Sequence, residues 1–552
     1  MNTSICTRLL ISALALSPAL HAAQQTPTVR SLGVISMQQA SNLALTSPLL
    51  SPQLQKNIRP LPRPQQGNAA LGNFVTVPIG PKFPVMGTTP GELGFVGTDS
   101  LTNSQAIGFT LEPPDQGLAS NGPEVFEVVN LSLQIYSNTG THLTPAIGLP
   151  QFFGVPPNAN LTDPRVFFDP YSQRFFLTVL EYFFDPNTGL LLGSQDLLAV
   201  STTNDALGFY YEYSIDACSA FDETCLGDQP LTGVNENGFY LSNNDFGNFT
   251  FDGAFVTALD KQALIAGSPL VNGTSTLLPN DFSVEPALPA PGAVSTQNNG
   301  TEYFSESLDF GAGGNTLRVF QMTNTSTLPN LIPATTLTSN DFPTEAYSNP
   351  VPATQKASPN YPLGQSLGAP EEQVDTNDDR MLQLYYGKNK LYTTLETQLV
   401  DPNPKIGKSG GAWFIIEPPT PGASPAHILS QGYIGIQGAT VLFPAFAVDI
   451  NGNGVLGYSF CGNDYFPSAG YSRVTLGKVE QVVHLARPGE APDDGFSGYA
   501  AFGGNGVGRW GDYSAATISP DGHVWFAAEY IASQAIHRTY YTNWSTFIAQ
   551  VQ

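Results

Sequence analysis

Charge is what this sequence has least of. Asp, Glu, Lys and Arg make up only 12% of the 552 residues, and the 21 basic residues are outnumbered by 45 acidic ones. A formal charge of −24 and a pI near 4.4 exclude binding of nucleic acid or anionic lipid by bulk electrostatics and leave cations as the compatible partners. Long apolar runs are missing too: beyond the first residues no stretch reaches the about 18 consecutive apolar residues a membrane-spanning helix needs. No segment sustains a 3.6-residue apolar stripe, so helix is expected to be scarce. Cysteine is rare, with only Cys6, Cys218, Cys225 and Cys461.

What is present is turn formers and apolar residues in quantity. Gly occurs 54 times, Pro 46 times, and hydrophobic residues reach 41%. That is enough apolar material for a large core in a constantly interrupted chain, the composition of an all-β exported protein. The opening MNTSICTRLLISALALSPALHAA sets Arg8 before an apolar run from Leu9 to Leu16 and ends on Ala22 and Ala23. This order predicts a secretory signal over residues 1–23 and an extracellular or periplasmic home. In such an oxidising compartment Cys218 and Cys225, within DACSAFDETCLGD, read as a local disulfide, with a metal pair as the rival; Cys461 reads as a buried thiol.

Residues 24–109, centred on SPQLQKNIRPLPRPQQGN, have weak periodicity and predict a poorly structured arm or linker. From about residue 110 the grammar changes. TDPRVFFDPYSQRFFLTVLEYF, GDQPLTGVNENGFYLSNNDF, FPAFAVDINGNGVLGYSFCGN and GDYSAATISPDGHVWFAAEYI each run acid or Pro, apolar strand, Asx or Gly turn, aromatic-rich strand. Repeats of about 40 to 50 residues, each a small antiparallel sheet, are the signature of a β-propeller, because a ring buries faces that one sheet cannot. Units opening near Asp115, Asp163, Asp228, Glu285, Asp378, Phe443 and Asp512 predict seven blades over 110–552, six being the alternative. A Pro-, Ser- and Thr-rich insertion is expected at about 325–372.

With EPPDQGLASNGPEVFEVVNLSLQIYSNTG, VDTNDDRMLQLYYGKNKLYTT and GRWGDYSAATISPDGHVWFAAEY added, these phrases look like successive blades of exported bacterial proteins with sialidase-like, Asp-box-type propeller folds. The resemblance covers roughly 110–552 and implies a fold; that group shares no settled activity. Departures are Ala527 and Ala528, where an Asn is expected before Glu529, and the absence of a clear acid at the sixth unit.

In a propeller the first strand of each blade lines the central channel. Asp115, Asp163, Asp228, Asp378 and Asp512 all precede or open such strands, with Arg509 beside the last. One reading is structural: acids accepting backbone N–H groups where blades meet. The other is that they converge on the channel mouth and bind a ligand or a hard cation. In DINGNGVLGYSF, Asp449, Asn451 and Asn453 alternate as at the start of a calcium loop, but Phe460 stands where a bidentate Glu belongs, so a plain turn competes with a calcium site. GQSLG around Ser366 matches a serine-hydrolase elbow in spacing alone, lacking the strand and helix that the elbow needs. No two histidines have zinc-ligand spacing.

The sequence therefore predicts an exported propeller that binds a carbohydrate, a peptide or a surface partner, with calcium as the cofactor it allows. Two other classes stay open: a polysaccharide lyase or glycoside hydrolase working at the channel mouth, and an envelope or scaffold protein that uses the insertion as its contact.

Overall fold

Short apolar runs broken by Asx and Gly turns can bury themselves only as antiparallel hairpins packed face to face. A computed structural model describes residues 24–46, 77–78, 85–86 and 93–551, except 157–158, 186, 220–223, 248–249, 309–312, 403–404, 421–423, 437 and 534–535. It is a seven-bladed β-propeller. The innermost strands are Gly117–Ser120, Asn160–Asp169, Cys225–Val234, Glu285–Pro289, Met381–Gly387, Ala439–Val448 and Ala515–Ile518. Each leads a sheet in which sequence-adjacent strands pair antiparallel. Each inner strand lies against the next around the ring, and the seventh returns to the first.

Aromatic rings fill the wedges between blades. Phe167 and Phe176 of the second blade stack at 5.2 Å, and Phe239 of the third stacks on Phe176 at 5.5 Å. Trp525 is fully buried with Val125 and Tyr136 between the seventh and first blades, and Trp510 is buried beside Phe443 and Ile531. Both tryptophans are therefore core.

The ring is closed by sequence from before residue 110. Leu93–Asp99 is the outermost strand of the seventh blade, pairing with Ser545–Val551 through Asp99 to Ser545, Val96 to Phe547 and Phe95 to Ile548. Behind it, Glu127 of the first blade is fully buried and accepts from Thr98 N at 2.8 Å, Thr98 Oγ1 at 2.9 Å, Tyr136 Oη at 3.0 Å and Thr546 Oγ1. Val29–Ser36 adds a fifth strand to the second blade, and the helix Met37–Thr46 sinks Met37 and Ala40 into the core of the first two blades. Lys56, Arg59 and Arg63, at the centre of the expected arm, lie outside the described residues. Of the expected insertion, Thr336–Tyr347 is the outer strand of the fourth blade, and only 348–372 belongs to the crossing that follows.

Candidate functional site

Four antiparallel strands return the chain to the face it left. The crossings between blades and the second-to-third-strand hairpins therefore share one face, here called the front, and the other hairpins share the back. Asp115, Asp163, Asp228, Asp378, Arg509 and Asp512 all lie on the front, at the starts of inner strands. Asp449, Asn451 and Asn453 form a first-to-second-strand turn on the back, so the structure does not bring them together with the other acids.

A repeated backbone device explains why these positions recur. One residue at the entrance to each inner strand has left-handed φ: Asp115 43°, Asp163 54°, Gln229 51°, Ser283 50°, Asn377 51°, Phe443 46° and Gly511 37°. In three blades the pairing register shifts here, with the inserted pair being Asp163-Pro164, Gln229-Pro230 and Phe443-Pro444. A bulge leaves a residue out of the ladder, which suits a proline that has no N–H to donate. Asp and Asn tolerate left-handed φ better than most residues, hence their frequency.

The acids are bound into this scaffold. Asp115 Oδ1 accepts from Asp512 N at 2.6 Å, and Asp115 Oδ2 from Asn130 Nδ2 at 2.7 Å. Asn130 Oδ1 in turn accepts from Asp163 N at 3.1 Å. Asp512 Oδ1 takes Arg509 Nη2 at 2.6 Å and Asn377 Nδ2 at 3.1 Å, while Arg509 Nη1 reaches Asp375 Oδ2 at 3.0 Å. Asp378 grips Arg380 with both oxygens at 2.7 Å, and Arg380 Nη1 also donates to Gln229. Asp228 lies within the field of Arg380, which it helps hold charged. Thus Asp115, Asp163, Asp512 and Arg509 form one network, and Asp378 and Asp228 gather around a second arginine. Asn130 and Arg380 were not among the sequence candidates. With only 21 basic residues in the chain, an arginine next to two acids in DTNDDR was the available signal for Arg380.

Below the mouth, Arg165 stacks on the Tyr513 ring at 3.9 Å, and Tyr513 Oη donates to Pro164 O at 2.9 Å. They line a channel cavity of about 40 Å³ with Gln116, Glu285 and Gln383. Arg165 Nε and Nη2, Glu285 Oε2, Gln116 Oε1 and Gln383 Oε1 have no protein hydrogen-bond partner there. The space suits roughly three waters rather than a sugar ring.

Burial raises the acids of this region. It lifts Asp163 to about 6, with Asp512 adding repulsion and Thr162, Arg165 and Arg509 opposing. It lifts Glu285 to about 8 against the pull of Arg165, and Asp196 to about 8 against a hydrogen bond from Asn243. Such groups keep their protons longer folded than unfolded. The stability they contribute is complete below the unfolded values near 4 and is lost as pH rises through about 6 to about 8. Thermal melting at pH 5 is therefore expected above that at pH 8, and an equal or higher melting temperature at pH 8 would refute the assignment.

The front face is covered by the crossings 348–380 and 488–514. They join through parallel pairing of Gln373–Val374 with Val507–Gly508 and through the Arg509 to Asp375 bridge. Asp494 pins the cover, accepting from Leu363 N, Gly364 N, Tyr499 Oη and Arg538 Nη1. Ser366 stands in a short helix, Pro362–Leu367, where its hydroxyl donates to Leu363 O and accepts from Tyr540 Oη.

Cys218 and Cys225 form a disulfide, and Cys461 is a buried free thiol. Those two sulfurs and Asp245 are close enough to share an ion, but disulfide sulfurs are not thiolate ligands, and Asp245 Oδ2 already accepts from Ser219 N at 3.0 Å. In the back-face turn, Asp449 Oδ1 accepts from Asn451 N and Asn453 N, both at 2.8 Å, and Asn453 Oδ1 accepts from Leu476 N at 3.0 Å.

No protein-family model matches this sequence, and no curated protein sequence does. Among solved structures the chain is similar to the polysaccharide lyase Uly1, at 10% identity and TM-score 0.35 over 84% of this chain and 98% of that one. It is similar to the Trypanosoma rangeli sialidase in complex with sialic acid, at 7% identity and TM-score 0.32, covering 84% of this chain but only 59% of that one. An exo-beta-1,3-galactanase from Phanerochaete chrysosporium matches at 10% identity and TM-score 0.25, over 66% of this chain and 80% of that one. The assignment of seven blades rests on the strand pairing above.

Proposed function

We propose that this propeller binds an extracellular peptide or surface protein across its front face, with the second-blade hairpin as the main contact. The observation that carries the reading is exposed apolar surface on a rigid mount. Arg174–Phe184 and Leu191–Ser201 outrun the inner strand, whose pairing ends at Asn160 with Tyr182. On this overhang Phe183 and Phe184 are each 39% exposed, Leu192 52% and Leu190 66%. Four large apolar side chains so close together on a monomer's surface mark an interaction site, and a preformed hairpin loses little entropy on binding.

The hairpin is held at both ends. Asp185 Oδ1 accepts from Asn187 N and Thr188 N in the turn. At its base Ser194 Oγ donates to Cys225 O and accepts from Gly227 N, which ties the hairpin to the disulfide loop. Recognition ranks ahead of catalysis because the channel-mouth acids are engaged by backbone N–H groups, Asn130 and arginines. A second contact, on the back face, is favoured by Leu331 and Ile332 at 76% and 83% exposed, and it suits the scaffold reading.

The test is selection of displayed extracellular peptides on the wild-type protein, with a variant carrying Phe183→Ser, Phe184→Ser, Leu190→Ser and Leu192→Ser as comparator. Selected ligands should bind the variant at least tenfold more weakly while its melting temperature is essentially unchanged. Ligands that bind both proteins equally, or binding confined to a glycan array, would overturn the reading.

A further inference from the structure

Within the cover, three carboxylates meet where there is little to neutralise them. Glu372 is 4% exposed, with the Gly495 N–H nearby but no well-formed hydrogen bond to either oxygen. Asp493 is 3% exposed with Oδ2 unpartnered. Glu112, equally buried, accepts from Ser497 N at 3.1 Å. The first two aim into the same space: a Cβ on Gly508 would stand 2.8 Å from Glu372 Oε1 and 2.9 Å from Asp493 Oδ2. Gly495 leaves similar room for Glu112, and Gly498 for Glu372. The nearby arginines are spent elsewhere, Arg538 on Asp494 and Arg509 on Asp375 and Asp512.

Uncompensated buried carboxylates are costly, and an all-oxygen cluster with neither His nor thiolate selects a hard cation. We infer that the cover closes around one divalent cation of the calcium class, held by Glu372 and Asp493 with Glu112 beside them. The three are not drawn to the spacing of a loaded site. Among the described residues, the group of three ligand-type atoms already that close is the two disulfide sulfurs with an Asp245 oxygen. Binding therefore pulls Glu372 of one crossing toward Asp493 of the other, so the ion acts as a clasp between the two halves of the cover. The rival occupant of the same space is a proton shared by Glu372 and Asp493.

Calorimetric titration of chelator-stripped full-length protein with calcium chloride, with melting in calcium and in chelator, decides between them. The expected result is one calcium per chain and a melting temperature several degrees higher in calcium, as for any ligand that binds the folded state alone. Glu372→Gln and Asp493→Asn should each lose the calcium heat and the shift, yet melt cooperatively in chelator at or above the wild-type temperature. Asp449→Asn should keep both. Absence of heat and of any chelator effect in the wild type would assign the site to the shared proton and overturn the inference. So would binding that survives both cover variants, or binding lost with Asp449→Asn.

Discussion

Lys261→Met is expected to destabilise the protein by about 3–5 kcal/mol, the cost of leaving one partner of a buried ion pair alone. Lys261 and Asp169 meet at 2.8 Å with both side chains 0% exposed, and Lys261 Nζ also donates to Asn235 O. Asp169 ends the second inner strand, and Lys261 opens the helix Lys261–Ile265 of the third blade, so the pair bolts two blades together on the back face. Denaturant unfolding measures the loss as a lower midpoint. Adding Asp169→Asn should recover part of it, because the stranded charge is then gone; a double variant as weak as the sum of the singles would show that the two side chains act independently.

The larger effect is expected from the closing strand. A chain beginning at residue 90 should keep a cooperative melting transition, lowered by loss of the fifth strand and helix on the second blade. A chain beginning at residue 109 should not melt cooperatively. It lacks Leu93–Asp99 and so exposes the long edge Ser545–Val551, and Glu127 loses both Thr98 donors while still buried. Near-ultraviolet circular dichroism on heating checks both chains, and a peptide of residues 90–108 supplied in trans should restore the transition to the shorter one. Cooperative melting of that chain alone would show that the ring does not depend on this strand.

The blades were legible in the sequence because each repeats one hairpin grammar, and all seven inner strands lie where the opening residues placed them. The closing strand was not legible. LGFVGTD is short, carries two glycines, and finds its apolar partners in Phe547 and Ile548 at the other end of the chain. The channel-mouth acids were found as a group, since Asp at a left-handed position is a local signal. Arg380 and Asn130 sit beside Asp378 and Asp115 in their own blades, but each also reaches a neighbouring blade, at Gln229 and Asp163, and no spacing announces those meetings. The cover carboxylates were hidden for the same reason: Glu112, Glu372 and Asp493 lie on three separate crossings.

Thr98 and Thr546 are 448 residues apart in sequence, and the Thr546 hydroxyl oxygen lies 3.1 Å from the Thr98 carbonyl oxygen. Within the seventh blade, the strand synthesised first is thus needed last. Six blades can assemble as the chain emerges, but the seventh cannot be closed until Ser545–Val551 has emerged to offer its edge. Only then can the early segment, kept waiting, dock. Non-local pairing of this kind slows folding and lengthens the time a sticky edge is on offer to other chains. The order of synthesis makes Ser545–Val551 the gate to the closed ring, so a chain stalled or clipped before this strand would be left as an open ring.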